Sequence, residues 1–202
     1  MKSEFEMSMI GELSYFLGIQ ITQNSECLFL SQEMYLKEML KKFQMEDYSP
    51  ISTPIVVGCK LRKDDISPDV DQRTYRSMIG SLLYITATRP DIMQSMCMVG
   101  RFQSALKQSH LTAAKRIIKY FKGTMTYGLW YPRNHNFQLN VYSDADWANC
   151  LDERKSTSGG AFFLGDSLVA WLSKKQSSID LSTTEAEYIA ATACCTQVLW
   201  MV

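Results

Sequence analysis

The spacing of apolar residues changes character in the final third of this 202-residue chain, and the change limits the folds that it can adopt. In the first part apolar side chains mostly recur at helical intervals, as they do between Leu36 and Phe43. From Phe137 to Tyr142 they alternate with polar residues, which is typical of a half-buried strand. We therefore predict an α+β protein with a mainly helical region over 1–136 and a sheet-containing region over 137–202.

An N-terminal β-hairpin and several helices are predicted for the first region. The hairpin covers residues 13–30 and turns at Asn24-Ser25. Prolines, glycine and mixed charges mark residues 47–74 as a linker or a long ordered loop. The predicted helices are 31–43 with Ser31 as N-cap, one through Tyr75–Leu83, one that begins at Pro90, and 110–122 with Gly123 following its end. The break before Pro90 is predicted because the residue that precedes a proline, here Arg89, avoids the α-helical region.

Three strands and one helix are predicted for the second region. The strand that leads into Asp144 is followed by a polar loop over 154–159 and by a hairpin of residues 160–164 and 168–172. Next come two candidate capping boxes, which mark the start of a helix that is still open at the last residue. They pair Ser182 with Glu185 and Thr184 with Glu187. This order of elements is typical of half of an α/β sheet domain.

Asp144 and Glu187 are the candidate metal ligands of the second region. A carboxylate at a strand end and one in the first turns of a packed helix can hold divalent metal over a phosphodiester. Asp146 is a second candidate, on the same side as Asp144 only if the strand continues. Glu185 points about 200° away from Glu187 around the helix, so capping explains it sufficiently. Ordinary caps and surface acids are the alternative for these residues.

No acidic residue occurs between Asp91 and Asp144, and this interval carries a candidate nucleic-acid surface. We assign this surface to Arg101, Lys107, Lys115, Arg116, Lys119 and Lys122. Lys115, Lys119 and Lys122 fall on one face of the predicted helix 110–122, with aromatic residues close by. Basic and aromatic side chains together suit a nucleic-acid backbone and exposed bases. A helix with a solvated basic face is the alternative, and the net charge of the whole chain, which is zero, does not decide between the two.

Other kinds of site are disfavoured by the sequence. The six cysteines show no metal-ligand spacing with the two histidines, and no nucleophile motif or glycine-rich phosphate loop is present. We predict that the protein is located in the cytoplasm or the nucleus. The prediction rests on free thiols, on the lack of an apolar run that could span a membrane and on an N-terminus without a secretory signal.

Motifs in a fixed order give the chain a resemblance to the Pol polyprotein of Ty1/copia-type retrotransposons, in the plant branch. They include Tyr15–Ile19, Thr88–Ile92, Tyr142–Ala148 and Ser182–Tyr188, and the resemblance covers essentially the whole chain. It implies that residues 1–136 are the C-terminal thumb and connection region of a reverse transcriptase. It implies that residues 137–202 are the N-terminal half of a ribonuclease H-like α/β domain.

The resemblance also implies a chemistry and its limits. The complete ribonuclease H of this family hydrolyses the RNA strand of RNA–DNA hybrids with two Mg²⁺ ions, and Asp144 and Glu187 match two of its metal-binding catalytic acids. Its later acids match positions after Val202, and the polymerase aspartates match positions before Met1. We therefore expect little or no hydrolysis by this chain. Its expected partners are an RNA–DNA hybrid or other nucleic acid and the remainder of the Pol polyprotein.

Two departures from the family pattern point to drift in an unconstrained copy. Leu106 stands where relatives usually have proline, and Asp180 stands where they have a small polar residue. The alternative function is a non-catalytic module that binds nucleic acid, or a domesticated protein partner, through the basic segment 101–133.

Overall fold

The computed structural model of the chain describes residues 11–68, 70–133 and 137–201, which form an α+β protein, as predicted. The strands are β1 (Tyr15–Phe16), β2 (Ile19–Gln23), β3 (Cys27–Ser31), β4 (Gly128–Pro132), β5 (Leu139–Cys150), β6 (Lys155–Leu164) and β7 (Ser167–Lys175). The α-helices are α1 (Glu33–Lys42), α2 (Gln72–Ile85), α3 (Met93–Val99), α4 (Gln108–Gly123) and α5 (Thr183–Met201). The 3-10 helices Pro90–Ile92 and Gly100–Phe102 flank α3.

Strands β1 to β4 form one antiparallel sheet in that order. The predicted hairpin is confirmed as β2 and β3, and the Oδ1 atom of Asn24 accepts hydrogen bonds from two backbone N–H groups in its turn. β4 pairs with β3 so that Gly128 lies opposite Ser31. A Cβ atom at position 128 would lie 2.1 Å from the carbonyl oxygen of Leu30, so only glycine allows this close approach of the two backbones.

Two helix ends differ from their predicted positions by a residue. Ser31 is the last residue of β3 and not the N-cap of α1, because its backbone is paired within the sheet on both sides. Gln32 occupies the N-cap position instead. Gly123 is the last residue of α4, and Thr124 is the C-cap.

Helices α1 to α4 enclose the main hydrophobic core. Fully buried side chains from three of them meet there: Leu36, Leu82, Ile117 and Phe121. α2 begins after Asp71, whose carboxylate accepts hydrogen bonds from the first N–H groups of the helix. The helical structure is interrupted before Pro90, as predicted, and a new helical turn begins at that residue. The described residues between α1 and α2 contain no helix or strand, which agrees with the predicted loop.

Strands β5, β6 and β7 form a second antiparallel sheet, and α5 packs on one face of it. Ala186, Ala190 and Cys194 are the buried residues of α5, at a spacing of four that places them on its inner side. The predicted hairpin is confirmed as β6 and β7. Tyr188 and Trp200 are among the large apolar side chains that α5 leaves exposed.

The polar segment 154–159 belongs to β6 from Lys155 onward and is not the predicted loop. Ser156 and Ser158 are buried in this central strand. The Oγ atom of Ser156 accepts a hydrogen bond from the N–H of Ala148 at 3.1 Å, and that of Ser158 accepts one from Gln176 Nε2 at 2.9 Å. Because these hydroxyl groups find partners inside the protein, a polar segment can occupy the middle of the sheet.

Side-chain hydrogen bonds join the second sheet to the rest of the molecule. Trp171 Nε1 donates to the carbonyl oxygen of Thr86 at 3.1 Å, and the hydroxyl of Tyr131 donates to the carbonyl oxygen of Leu168 at 3.0 Å. The division of the chain at 136/137 stays a prediction. Residues 134–136 beside it, which include His135, lie outside the described part of the chain.

All six cysteines are free thiols, and Cys150 and Cys194 are buried. No helix among the described residues combines the length and apolarity that crossing a membrane requires. The cellular compartment stays a prediction.

Candidate carboxylate site and nucleic-acid interface

Asp144 and Asp146 lie on the same face of β5. The strand continues beyond both residues, and side chains two positions apart in a strand point to the same side of the sheet. Asp144 lies opposite Gly159 on β6, and Asp146 lies opposite Thr157. Asp144 is exposed, whereas Asp146 is half-buried and accepts a hydrogen bond from Nδ2 of Asn149. Because the strand continues past Asp144, Asp146 lies on the same side of the sheet and remains the second candidate ligand.

The face that carries the two aspartates is turned toward α3. Thr157 Oγ1 accepts a 2.8 Å hydrogen bond from Nη2 of Arg101, which lies in the 3-10 helix after α3. A cavity of about 240 Å³ lies on this side, with Asp144, Asp146 and Trp171 in its lining. The two aspartates therefore open into a small cavity between the second sheet and the helical region.

Glu187 lies on the other side of the second sheet. It is an exposed residue of α5 and lines a surface depression together with Ser143. α5 covers the face to which Gly160 belongs, because a Cβ atom at that position would lie 2.9 Å from Cys194 Sγ. Ser143 is paired with Gly160 and shares this face, whereas the next residue, Asp144, belongs to the opposite one.

The structure therefore does not bring Asp144 and Glu187 together. Among residues 11–68, 70–133 and 137–201, no three His, Cys, Asp or Glu side chains are grouped so that they could hold a metal ion. A two-metal site needs several carboxylates that converge on the ions. In this arrangement Asp144 and Glu187 do not fit a shared Mg²⁺ site, and their assignment as ligands stays a prediction.

Glu185 acts as a cap at the start of α5. Its carboxylate accepts a 2.7 Å hydrogen bond from the N–H of Leu181, and its own N–H donates to Ser182 Oγ at 3.2 Å. These bonds satisfy backbone and side-chain groups at the helix terminus, as the predicted capping role requires.

Four basic residues of α4 have no ionic partner among the residues that the structure describes. They are Lys115, Arg116, Lys119 and Lys122, and all are half-buried. Within the described parts of the chain no carboxylate forms a salt bridge with any of them. Their positive charge is therefore available to an external anion.

The loop between α1 and α2 orders three of these basic side chains. Arg116 Nη2 donates a 2.8 Å hydrogen bond to Thr53 Oγ1. Lys119 Nζ lies 4.6 Å from the centre of the Tyr48 ring, which is a cation–π distance. Lys122 donates to a backbone carbonyl of the same loop. The charges are therefore held in place before any ligand arrives.

Arg101 and Lys107 are placed differently from these four residues. Arg101 is directed to Thr157 on β6, and its Nε is buried without a hydrogen-bond partner among the described residues. Lys107 is the N-cap residue of α4, and its backbone N–H donates to Nδ1 of His110. The six residues of the predicted surface therefore do not form one continuous face.

His110 is fully buried at the start of α4 and is held as the neutral ring. Its Nδ1 accepts the hydrogen bond from Lys107, so Nε2 carries the proton and donates to the carbonyl oxygen of Arg62 at 2.9 Å. The ring stacks on Phe102 with 4.0 Å between ring centres. Burial is the main cause that lowers the pKa of His110 below its ordinary value of 6.5.

The pattern of the sequence gives Arg89 no role beyond the helix break, yet it is one of the largest fully buried side chains. Its guanidinium donates to the carbonyl and hydroxyl oxygens of Thr124. It also lies 4.9 Å from the ring centre of Phe121. The signal that could have revealed this role is the acidic residue Asp91 two positions later, on the other side of a proline.

The comparisons with known proteins agree with the resemblance seen in the motifs. Residues 1–57 match the family model described as reverse transcriptase (RNA-dependent DNA polymerase). The chain is 34% identical over 201 residues to the retrovirus-related Pol polyprotein from transposon RE1 of Arabidopsis thaliana. It is 36% identical over 210 residues to the one from transposon TNT 1-94 of Nicotiana tabacum. These alignments cover all of this chain and 14% and 16% of the two polyproteins.

A shorter relative shows that the similarity also holds over most of a second protein. An uncharacterized mitochondrial protein of Arabidopsis thaliana is 35% identical over 201 residues, which are 99% of this chain and 83% of that protein. No solved structure matches the chain. Identity of this level along the whole sequence shows that the chain belongs to the copia-type retrotransposon Pol polyproteins, as a reverse transcriptase-related segment of them.

Proposed function

We propose that this segment of Pol binds the RNA–DNA hybrid that reverse transcription produces. The contact is made through the basic face of α4, which consists of Lys115, Arg116, Lys119 and Lys122. The observation that carries the proposal is a set of four cationic side chains, three of them ordered by the loop, with which no carboxylate of the described residues forms a salt bridge. Cations that are not neutralised within a protein attract polyanions and release the counterions of a nucleic acid. The remainder of the Pol polyprotein is the second partner that we propose.

The length of the basic face suits a nucleic-acid backbone. Lys115 and Lys122 are seven residues apart in α4, which corresponds to roughly 10 Å along the helix axis. Phosphates of one strand are spaced about 3.4 Å apart along the axis of a duplex. The face is therefore long enough to contact more than one phosphate of a strand.

The geometry supports binding better than hydrolysis. Asp144 opens into the cavity beside α3, whereas Glu187 lies on the α5 side of the sheet. A hydrolytic site of the two-metal kind requires both carboxylates at the same ions. We therefore propose that this chain holds a hybrid without cleaving it.

A salt titration of hybrid binding tests the first part of the proposal. We expect the affinity of the full chain for a labelled RNA–DNA hybrid to fall steeply as salt rises. A double variant, Lys115→Gln with Lys119→Gln, should lower the salt slope by about 0.9 for each phosphate that the protein no longer neutralises. The matched control replaces two exposed lysines of α1, Lys41→Gln with Lys42→Gln.

Each result of this titration has a defined meaning. A steep slope that falls only in the α4 variant supports the proposal. A flat slope, or an equal effect of both double variants, contradicts it and leaves a protein-interaction module as the better description.

A cleavage assay tests the second part. The full chain is incubated with Mg²⁺ and a hybrid labelled on its RNA strand, beside an Asp144→Asn variant and an Asp166→Asn control on the exposed turn between β6 and β7. We expect no cleavage that depends on Asp144. Cleavage that disappears in Asp144→Asn and persists in the control would overturn the proposal of binding without hydrolysis.

A further inference from the structure

A groove of about 750 Å³ lies between α4 and the loop that precedes α2. Its walls include the half-buried apolar residues Ile51, Ile55 and Leu61, and Ala113 lies on the helix side. This volume is within the range of pockets that bind small molecules, from about 300 to 1,000 Å³. The groove is distinct from the cavity that holds Asp144 and Asp146.

The charge of the groove is strongly one-signed. Among the described residues, its lining contains the four basic residues Lys60, Lys115, Arg116 and Lys119 and a single acidic residue, Asp65. The carboxylate of Asp65 already accepts a 2.9 Å hydrogen bond from the N–H of Ser67, and hydroxyl groups nearby lower its pKa. An apolar wall beside several cations is complementary to a ligand with an apolar body and an anionic group.

One feature of the groove favours a planar aromatic body over an aliphatic chain. The exposed ring of Tyr48 stands at the mouth of the groove with Lys119 Nζ over one face. Aromatic side chains of this kind stack on nucleic-acid bases. Arg116 and Lys119 both belong to the lining, so an anionic group on the same ligand has two cations to contact.

We propose that this groove binds a nucleotide, with the base against the apolar wall and Tyr48 and the phosphate at Arg116 and Lys119. The nucleotide can come from two sources, a free mononucleotide or an unpaired nucleotide at the end of a strand. In the second case the inference rests on the proposed binding of a hybrid by α4, because the groove then receives the single-stranded overhang of that hybrid.

Direct binding of N-methylanthraniloyl-AMP, a fluorescent mononucleotide, tests the groove without a hybrid. We expect Lys119→Gln to weaken binding about tenfold, in keeping with the removal of a charge-assisted hydrogen bond. Lys122→Gln removes the same charge from the same helix, outside the groove lining, and should change binding less than twofold, as an order-of-magnitude expectation for a screened charge. Equal effects of the two variants overturn the proposal.

The apolar wall has its own matched pair of variants. Ile55→Ser alters the groove, whereas Ile66→Ser alters a fully exposed residue of the same loop. Binding of the probe should weaken in the first variant only, with far-ultraviolet circular dichroism unchanged in both. Competition by unlabelled AMP should exceed that by adenosine or by inorganic phosphate. Competition by inorganic phosphate that equals AMP would show that the wall is not used and would overturn the proposal.

Alkylation of Cys59 reports occupancy of the groove independently of affinity. Cys59 lines the groove, and burial raises the pKa of its thiol, while the exposed Cys195 on α5 serves as the internal control. Saturating AMP should slow alkylation of Cys59 and leave Cys195 unchanged. Equal alkylation of Cys59 with and without saturating AMP contradicts binding of the free nucleotide.

Two hybrids separate the two sources. A hybrid with a single-stranded overhang should protect Cys59, whereas a blunt hybrid of the same duplex length should not. Protection by the overhang without protection by AMP supports the strand end as the source. No protection by AMP or by the overhang overturns the inference, although hybrid binding that still depends on Lys115 would leave the proposed function intact.

Discussion

Arg89 and Asp91 form a bidentate ion pair in which only the carboxylate reaches solvent. Arg89 Nε donates to Asp91 Oδ1 at 2.9 Å, and Nη2 donates to Oδ2 at 2.7 Å. The side chain of Arg89 is 1% exposed, whereas that of Asp91 is 32% exposed. The hydroxyl of Tyr120, on α4, donates to the same Oδ2 atom at 2.8 Å. The pair therefore joins the segment before α3 to α4.

Replacement of Arg89 is expected to cause a large loss of stability. Arg89→Met leaves Asp91 with Tyr120 as its remaining donor and the Thr124 carbonyl without the bond from the guanidinium, and the expected loss is about 1.5–3 kcal/mol in the free energy of unfolding. Arg89→Lys should also destabilise the protein, because an ammonium group cannot form the two parallel bonds. Denaturant unfolding measures both, with Arg76→Met at an exposed position of α2 as the control. A loss no greater than that of the control would contradict this role.

Replacement of Asp180 is expected to stabilise the protein. Asp180 is buried, and neither oxygen of its carboxylate accepts a hydrogen bond from the described residues. Its backbone carbonyl, in contrast, accepts one from Trp147 Nε1 at 3.3 Å. Asp180→Ser should raise the free energy of unfolding by about 1–3 kcal/mol, because it removes an unsatisfied buried carboxylate. Asp166→Ser in the exposed turn is the control, and a destabilised Asp180→Ser would refute the expectation.

His110 is expected to make the stability depend on pH. The pKa of His110 is lowered by folding, so the unfolded chain binds more protons than the folded chain below about pH 6.5. The folded protein should therefore lose stability as the pH falls from about 6.5 toward the lower pKa of the buried ring. Unfolding measured in a His135→Gln variant, in which His110 is the sole histidine, isolates this effect. His110→Gln should flatten the dependence, and a dependence that persists unchanged in that variant would rule out His110 as its source.

Glu153 is expected to stay ionised down to about pH 2. A 2.8 Å hydrogen bond from Lys175, together with the charges of Lys155 and Lys63, lowers its pKa to about 2. Its contribution to stability is present above the ordinary pKa of 4.5 and should disappear as the pH falls through about 2. A nuclear magnetic resonance titration should show a rise of this pKa in Lys175→Met. Lys63→Met should cause a smaller rise, because Lys63 Nζ is 3.6 Å away. An equal rise in both variants would contradict the leading role of Lys175.

The parts of the fold that follow from local pattern could be predicted from the sequence. α4 and the hairpin of β6 and β7 have strong periodicity or a marked turn, and both are confirmed. β4 could not be predicted, because its five residues are too few to show alternation and its partner β3 is distant in the chain. The polar start of β6 could not be predicted either, since its burial depends on hydrogen bonds from distant residues such as Gln176.

The same limit applies to the candidate site. Sequence spacing identifies Asp144 and Glu187 as acids at element ends, but it cannot tell which face of the sheet each one occupies. That depends on the length of β5 and on the side on which α5 packs, and both are tertiary properties. The cationic residues of α4 were predictable from helical spacing, whereas the groove beside them depends on the path of a loop that has no periodic pattern.

The pairing of β3 with β4 has a consequence for the order in which the chain folds. Ser31 and Gly128 are neighbours in the sheet, yet all of α1 to α4 lies between them in the chain. Closing such a long loop costs conformational entropy before the strand pair returns any energy, so pairings of this kind form slowly. We therefore expect the helical core to assemble first and β4 to dock onto it late, which closes the first sheet over helices that have already packed.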